Sequence, residues 1–285
     1  MEVYRNKEKK KVEALIKNGW FKNDPGNGTF GGHKYTFVLQ NSDNNFYEPI
    51  LNKAKEYFNK NGIAWWKGSE PTGHSLSSQI ACINHLFPIR KDKNAVLALL
   101  SSVSSNFVNP SRGTNCTSLD AFVYALHRNG SKWIIPIEWK YTEAYSPENK
   151  GSGAKGEIRH CRYDGLIQKS SQLIFDKMLN QTNIYYFEPF YQLMRQTLWA
   201  EQVVNNKTEN IYADDYLHLH IVPYKNIDLL EKIYQCSKLN MPTTWRSCLV
   251  DQGKYKIISP ENLFKNIEDK YTELVHYLKI RYWDD

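Results

Sequence analysis

Apolar residues recur at helical spacing through the first hundred positions, and that spacing predicts the elements in turn. Lys7 to Trp20 reads as a basic helix whose sparse apolar face is Val12, Leu15, Ile16 and Trp20. A turn-rich stretch, Asn23 to Gly28, leads into a strand over Lys34 to Leu39. Glu48 to Asn59 has helical spacing through Ile50, Leu51, Ala54, Tyr57 and Phe58, and Gly62 ends it. His74 to Phe87 puts Leu76, Ile80, Ile83 and Phe87 on one helical face, with Pro88 as its stop. Lys93 to Val103 is more uniformly apolar, which predicts a buried helix.

The period then changes. Asp120 to His127 and Lys132 to Tyr141 are strand-type runs joined by Arg128-Asn129-Gly130-Ser131, which carries an Asn-Gly hairpin signal. A small, polar loop from Ser146 to Gly156 precedes helices around Arg159–Met178 and Phe190–Val204. Leu217 to Val222 reads as a strand and Leu229 to Ser237 as a helix. A last helix has Ser259 as N-cap, Pro260 at its first position, and a stripe of Leu263, Ile267, Tyr271, Leu274 and Leu278. The order of helices, central strands and helices predicts an α/β fold: a small mixed β-sheet flanked by helices, with additional N- and C-terminal helices. There is no internal repeat or linker, so residues 1–285 read as a single domain.

Composition narrows the class without naming a function. The 285 residues are 41% hydrophobic and 24% charged, an ordinary globular balance. A net charge of +7 permits a polyanionic partner. No run approaches the roughly 20 apolar residues of a membrane span, so no membrane is expected. The start, Met1-Glu2-Val3-Tyr4-Arg5, lacks the apolar core of a signal peptide. Five cysteines, Cys82, Cys116, Cys161, Cys236 and Cys248, are odd in number, widely spaced and without a C-x-x-C pair. That pattern suits a reducing, cytoplasmic setting and no zinc ribbon. The sequons at Asn27 and Asn115 carry no meaning without secretion.

Chemistry concentrates at the two central strands. Glu138 and Lys140 share a strand face, and Trp139 points the other way. Charges ending the apolar run Trp133-Ile134-Ile135-Pro136-Ile137 are costly to bury unless paired or bound to metal. If His127 opposes Ser131 across a three-residue loop, Arg128-Asn129-Gly130, Asp120 falls opposite Glu138; a two-residue turn throws it to the other face. Two carboxylates and a backbone carbonyl make an oxygen-rich Mg²⁺ site. Lys140 can then orient or deprotonate a water, or neutralise a phosphate. The same residues also suit a surface ion pair between Glu138 and Lys140, with Asp120 capping a strand. Pro136 cannot donate to a ladder, which predicts an unpaired position or a bulge there.

Asp120 followed by Glu138-Trp139-Lys140 at the end of a hydrophobic strand resembles the PD-(D/E)xK nuclease superfamily. The flanking segments, His74-Ser-Leu-Ser-Ser78-Gln79 upstream and Glu188-Pro-Phe-Tyr-Gln192-Leu-Met-Arg195-Gln196 downstream, are similar to restriction-endonuclease-like bacterial proteins. The resemblance covers about Gly73 to Ala200, and implies a restriction-endonuclease-like catalytic core at about 73–222. It implies Mg²⁺-dependent hydrolysis of phosphodiester bonds in DNA, with Mn²⁺ as an alternative ion, in restriction or defence. Asp120 and Glu138 are then metal ligands and Lys140 the catalytic cation. Arg195 with Gln192 or Gln196 would touch a phosphate or brace the site. Leu119 stands where the superfamily often has Pro, and the first core helix lacks the Glu some members supply, leaving Gln79 or Glu70 as substitutes. Cutting both strands of a duplex implies a homodimer. The alternative is a non-catalytic DNA-binding or assembly subunit on the same fold.

Other features weigh less. Gly26-Asn-Gly28-Thr-Phe-Gly31 is a literal G-x-G-x-x-G, but a helix and turn precede it and a strand follows, the reverse of a dinucleotide site. His218 and His220 share a strand face at ligand-like spacing, without a convincing third ligand, and read as a structural pair before a zinc site. Trp65-Trp66-Lys67 can stack on bases or simply pack a core. The basic run Arg5 to Lys11, and Lys155, Arg159 and Arg162 after the loop, are the candidates for contact with a DNA backbone.

Overall fold

A computed structural model describes residues 2–283 except 67, 105–106, 112–118, 147, 178–182 and 207–211, and for 107–111 the backbone alone. Cys116, the Asn115 sequon, Lys67 and Met178 lie outside the described residues. The chain opens with α1 (Val3–Lys17), a short hairpin of β1 (Gly28–Phe30) and β2 (His33–Tyr35), α2 (Leu51–Lys60), α3 (Ser78–Leu86) and α4 (Lys93–Ser101). The sheet strands β3 (Phe107–Ser111), β4 (Ala121–His127) and β5 (Lys132–Trp139) follow, then α5 (Gly153–Lys169) and α6 (Phe190–Asn206). Next come β6 (Asp215–Tyr216), β7 (His218–Ile221), α7 (Ile227–Leu230), α8 (Met241–Arg246), β8 (Tyr255–Ile258), α9 (Pro260–Phe264) and α10 (Thr272–Leu278).

The main sheet runs β3-β4-β5-β7-β8, with β6 also pairing β5. β3, β4 and β5 are antiparallel neighbours, whereas β6 and β7 lie parallel to β5 and β8 parallel to β7. The predicted mixed sheet flanked by helices is thus present. One face buries Ile135, Ile137, Trp139, Leu219 and Ile221 against Val12 of α1, Ala81 and Cys82 of α3, and Leu99 and Leu100 of α4. The other face lies under α6, where Phe190, Leu193, Met194 and Leu198 pack with Tyr255 and Trp245.

Register follows from the loop. Ala121 pairs with Ile137 and Leu126 with Lys132. Gly130 N–H donates to His127 O (2.9 Å), and His127 N–H to Ser131 O (2.8 Å), closing the three-residue loop. Gly130 has φ +88° with open space around its α-carbon. The turn therefore asks for glycine on backbone grounds alone. Pro136 sits where β5 changes parallel partners, between the β6 pairs at Trp133 and Ile134 and the β7 pairs that begin at Ile137. The missing donor falls in that gap, the unpaired position its sequence demanded.

Several elements depart from expectation. Lys34–Leu39 is a strand only as far as Tyr35; Val38 makes an isolated bridge to His74 instead. The helix expected over Arg159–Met178 begins earlier, at Gly153, and stops at Lys169. There Ser170 turns extended and its hydroxyl receives the N–H groups of Gln172 and Leu173. Leu229–Ser237 forms only the single turn α7, because Ile233 faces solvent and supplies no buried stripe. The last helix keeps its Ser259 cap and Pro260 but breaks into α9 and α10. Side chains from the break tie it to α4: Asn266 donates to Ala98 O, while Lys270 and Tyr271 donate to Asp92, the α4 N-cap. Beyond α10, Arg281 is fully buried and donates to Ser75 O and Asn45 Oδ1, close to α1, whose buried Glu8 accepts from Tyr141 Oη.

Candidate active site

The hairpin register carries Asp120 to the position opposite Glu138, one residue beyond the last pair of β4 and β5. Asp120 bends out of the ladder, and its Oδ2 accepts the Trp139 N–H at 2.7 Å. A carboxylate thus replaces the next rung of backbone pairing. Glu138 and Lys140, each 4% exposed, lie on the sheet face covered by α6. Lys140 Nζ donates to Glu138 Oε1 and, at 2.7 Å, to Gln192 Oε1. Tyr145 Oη also donates to Gln192 Oε1 (3.1 Å). The Glu138–Lys140 ion pair is therefore formed, but it is buried; the surface ion pair does not describe it.

Behind Glu138 lies a second layer. Gln196, one helical turn beyond Gln192 on α6, donates through Nε2 to Glu138 Oε2. Its Oε1 accepts from His218 Nε2 at 2.7 Å, and His218 Nδ1 lies 3.5 Å from Thr197 Oγ1. A carboxylate only accepts and an amide oxygen only accepts, so these partners fix the Gln196 amide in one orientation. His220, the β7 pair of Glu138, bonds Tyr255 Oη through Nδ1 (2.8 Å) and leaves Nε2 buried without a hydrogen bond. Burial holds the His218 imidazole down at about 3 and His220 well below its ordinary value, so both are neutral. Both are buried in the core, His218 hydrogen-bonded to Gln196 and His220 to Tyr255. Among the described residues no group of three or more His, Cys, Asp and Glu side chains forms a metal-binding cluster.

Electrostatics separate the roles of acid and lysine. Asp120 exposes surface to the cavity, but protein packs closely around it. That enclosure, then the Glu138 carboxylate, lifts its carboxyl to about 7 against the pull of Lys140 and the Trp139 N–H. Burial alone would lower Lys140; Glu138, then Tyr145, Glu143 and Asp120, outweigh it and hold the ammonium well above its usual range. Lys140 is thus a fixed cation, suited to neutralising or orienting rather than to taking a proton. Two carboxylates that repel each other beside an open cavity fit a hard divalent cation, which needs one or two carboxylates plus waters.

A cavity of about 980 Å³ opens from this cluster and is lined by Asp120, Glu138, Lys140, Gln192 and Arg195 together with residues of α3 and α4. Arg195 reaches it and lies 5.5 Å over the Tyr191 ring. Gln79 also lines it, but its amide is engaged with the backbone: Oε1 accepts Trp66 N–H (2.8 Å) and Nε2 donates to Ala64 O (3.1 Å). The side chain that α3 presents towards the acids is Cys82, whose thiol is pushed well up by burial and then by Asp120 and Glu138. Glu188, just before α6, has a carboxyl raised by burial, and its Oε2 is buried without a hydrogen bond. The sequence named Gln196 beside Gln192 and Arg195 as a brace, and the structure places it on Glu138; it did not assign His218 or Glu188 to the site. The helical spacing from Gln192 was a signal for Gln196; the contact of Gln196 with β7 had none.

Lys155, Arg159 and Arg162 lie on α5 and do not line the cavity. Lys155 and Arg162 are exposed, whereas Arg159 donates to Lys150 O and helps order the loop before the helix. The glycine-rich segment 26–31 runs into the β1–β2 hairpin, as no dinucleotide site does. Cys82, Cys161, Cys236 and Cys248 are free.

Fold and site together define a mixed α/β protein with an acid–acid–lysine cluster at the end of two sheet strands, facing a cavity. Its sequence matches the family model described as restriction endonuclease associating with ARP over residues 7–283, and the chain belongs to that family. The description implies DNA as the substrate class. No curated protein and no solved structure matches the chain. No described helix is long and apolar enough to cross a membrane.

Proposed function

We propose that this protein is a metal-dependent endodeoxyribonuclease of the PD-(D/E)xK type, acting in defence against foreign DNA from a single restriction-endonuclease-like domain in the cytoplasm. The observation that carries the reading is the three-residue hairpin loop, which sets Asp120 against Glu138 with Lys140 on the same face and a cavity before them. Asp120 and Glu138 would hold Mg²⁺ or Mn²⁺. When bound, such an ion activates water and offsets charge on the phosphoryl oxygens. Lys140, held charged and aimed by Gln192, neutralises the developing phosphorane charge. Gln196 keeps Glu138 turned for ligation. Exposed Lys155 and Arg162 on α5 add charge for the DNA backbone, and a homodimer would supply one site per strand of a duplex.

Plasmid DNA incubated with the protein and Mg²⁺ should be cut, and EDTA should stop it. Asp120→Ala and Glu138→Gln should each lower the rate by roughly a hundredfold or more. Cleavage that persists in both variants would sink the assigned site. One observation favours a second reading: the family description speaks of association. An assembly subunit without activity of its own would bind DNA or a partner protein and leave the plasmid intact under every metal tried.

A further inference from the structure

The two adjacent tryptophans after α2 have opposite fates. Trp65 is core, stacked on Phe58 with ring centroids 4.0 Å apart. Trp66 is 42% exposed and lines the same cavity as Asp120, Glu138 and Lys140. Gln79 of α3 pins this segment at two points, accepting from Trp66 N–H and donating to Ala64 O, so the ring is presented from an anchored backbone. Phe30 lies 5.0 Å from it and His74 5.8 Å. From there the rings continue through Phe37, 5.3 Å from His74, to Tyr35, 5.4 Å further on and 37% exposed. Cations accompany this path: Arg5 lines the cavity, Lys9 sits 5.4 Å over Phe37, and Lys34 is exposed on β2.

Trp66 and Tyr35 are the exposed ends of this path, whereas Phe37 and His74 between them are buried and hold it rigid; an exposed, braced ring near cations takes an unstacked base and its phosphate. The approach to the reacting groups points the same way. Glu138 and Lys140 are almost wholly buried and are approached through a cavity of about 980 Å³. A volume of that order is enough for a few nucleotides of one strand. We infer that the DNA strand enters the cavity unpaired, with a base stacked on Trp66 and the strand running out over Tyr35. The substrate class is therefore DNA with a single-stranded segment, such as a fork, flap or free strand. This rests on the nuclease reading for its site and adds the strand state that the site accepts.

Labelled single-stranded, forked and blunt duplex oligonucleotides of one sequence, titrated in EDTA by fluorescence anisotropy, test it. The single strand and the fork should bind more tightly than the blunt duplex. Trp66→Ala should weaken single-strand binding by roughly five- to a hundredfold, the range of one lost base–aromatic stack. Trp66→Phe should recover most of that loss, which a folding defect would not allow. Tyr35→Ala should weaken it independently. Equal binding of single strand and blunt duplex would overturn the inference, as would unchanged single-strand binding by Trp66→Ala. The two readings fail separately. Trp66-dependent strand binding without metal-dependent cleavage would leave the inference standing and remove the nuclease reading. Full-rate cutting of a blunt duplex by Trp66→Ala would do the reverse.

Discussion

Asp120 is the residue whose protonation matters most. Its carboxyl, lifted to about 7 by enclosure and by Glu138, keeps a proton through the acidic range. Between the ordinary carboxylate pKa and about 7, the folded chain holds a proton that the unfolded chain has lost. Metal-free stability therefore falls as pH rises through that window. A divalent cation ligated by Asp120 must displace the proton, so binding should strengthen as pH rises from 6 and level off above 7. Calorimetry of Mg²⁺ binding in buffers of different ionisation enthalpy should count close to one proton released at pH 6 and close to none at pH 8. Asp120→Asn should release none at either pH. Metal affinity independent of pH in the unmodified chain would show that Asp120 is not a ligand. The charged state of Lys140 belongs to the same balance, because the acids that raise Asp120 are those that keep the ammonium protonated.

At the scale of elements, α6 does for the site what the sheet cannot. The hairpin delivers two acids and a lysine, but hydrogen bonds from Gln192 and Gln196 aim them. Gln196→Leu keeps the volume while removing both amide contacts, which leaves His218 Nε2 and one oxygen of Glu138 unpaired. Its cost should be about 1–3 kcal/mol in urea unfolding, the scale of an abandoned buried polar group. Gln192→Leu, half-buried at the cavity edge, should cost less than half as much and act mainly on activity. Equal losses in the two variants would refute this division. The hairpin was legible in the sequence because everything that sets its register is local: loop length, the glycine that tolerates φ +88°, and alternation along β5. The bridge from Gln196 to His218 was not, because it joins a helix to a strand through a fold that no spacing encodes. The split of the last helix was hidden for the same reason. Its apolar stripe is intact, and Asn266, Lys270 and Tyr271 break it by binding α4, more than a hundred and sixty residues earlier.

Taken whole, the molecule closes its ends upon each other. Arg281 lies in the core between segments that begin near residue 8 and residue 45, and Leu263 of α9 lines the cavity in front of Asp120. Strand β8 must arrive from residue 255 to flank β7, which in turn flanks the strand bearing Glu138. The mixed α/β class was readable from the alternation of helical and strand periods; the strand order and this late closure were not, since Tyr255–Ile258 is too short to announce itself. Its consequence falls on biosynthesis. A chain still emerging from the ribosome carries Asp120, Glu138 and Lys140 long before it carries strand β8, the Leu263 part of the cavity wall and the Arg281 that fills the core. The growing chain would thus pass most of its synthesis without an assembled site. Chains stalled with residues beyond 250 still inside the tunnel should be digested by protease around α3 and α4 as fast as unfolded chain, whereas the released protein resists. Equal resistance of stalled and released chains would show that the site matures before its own last wall is made.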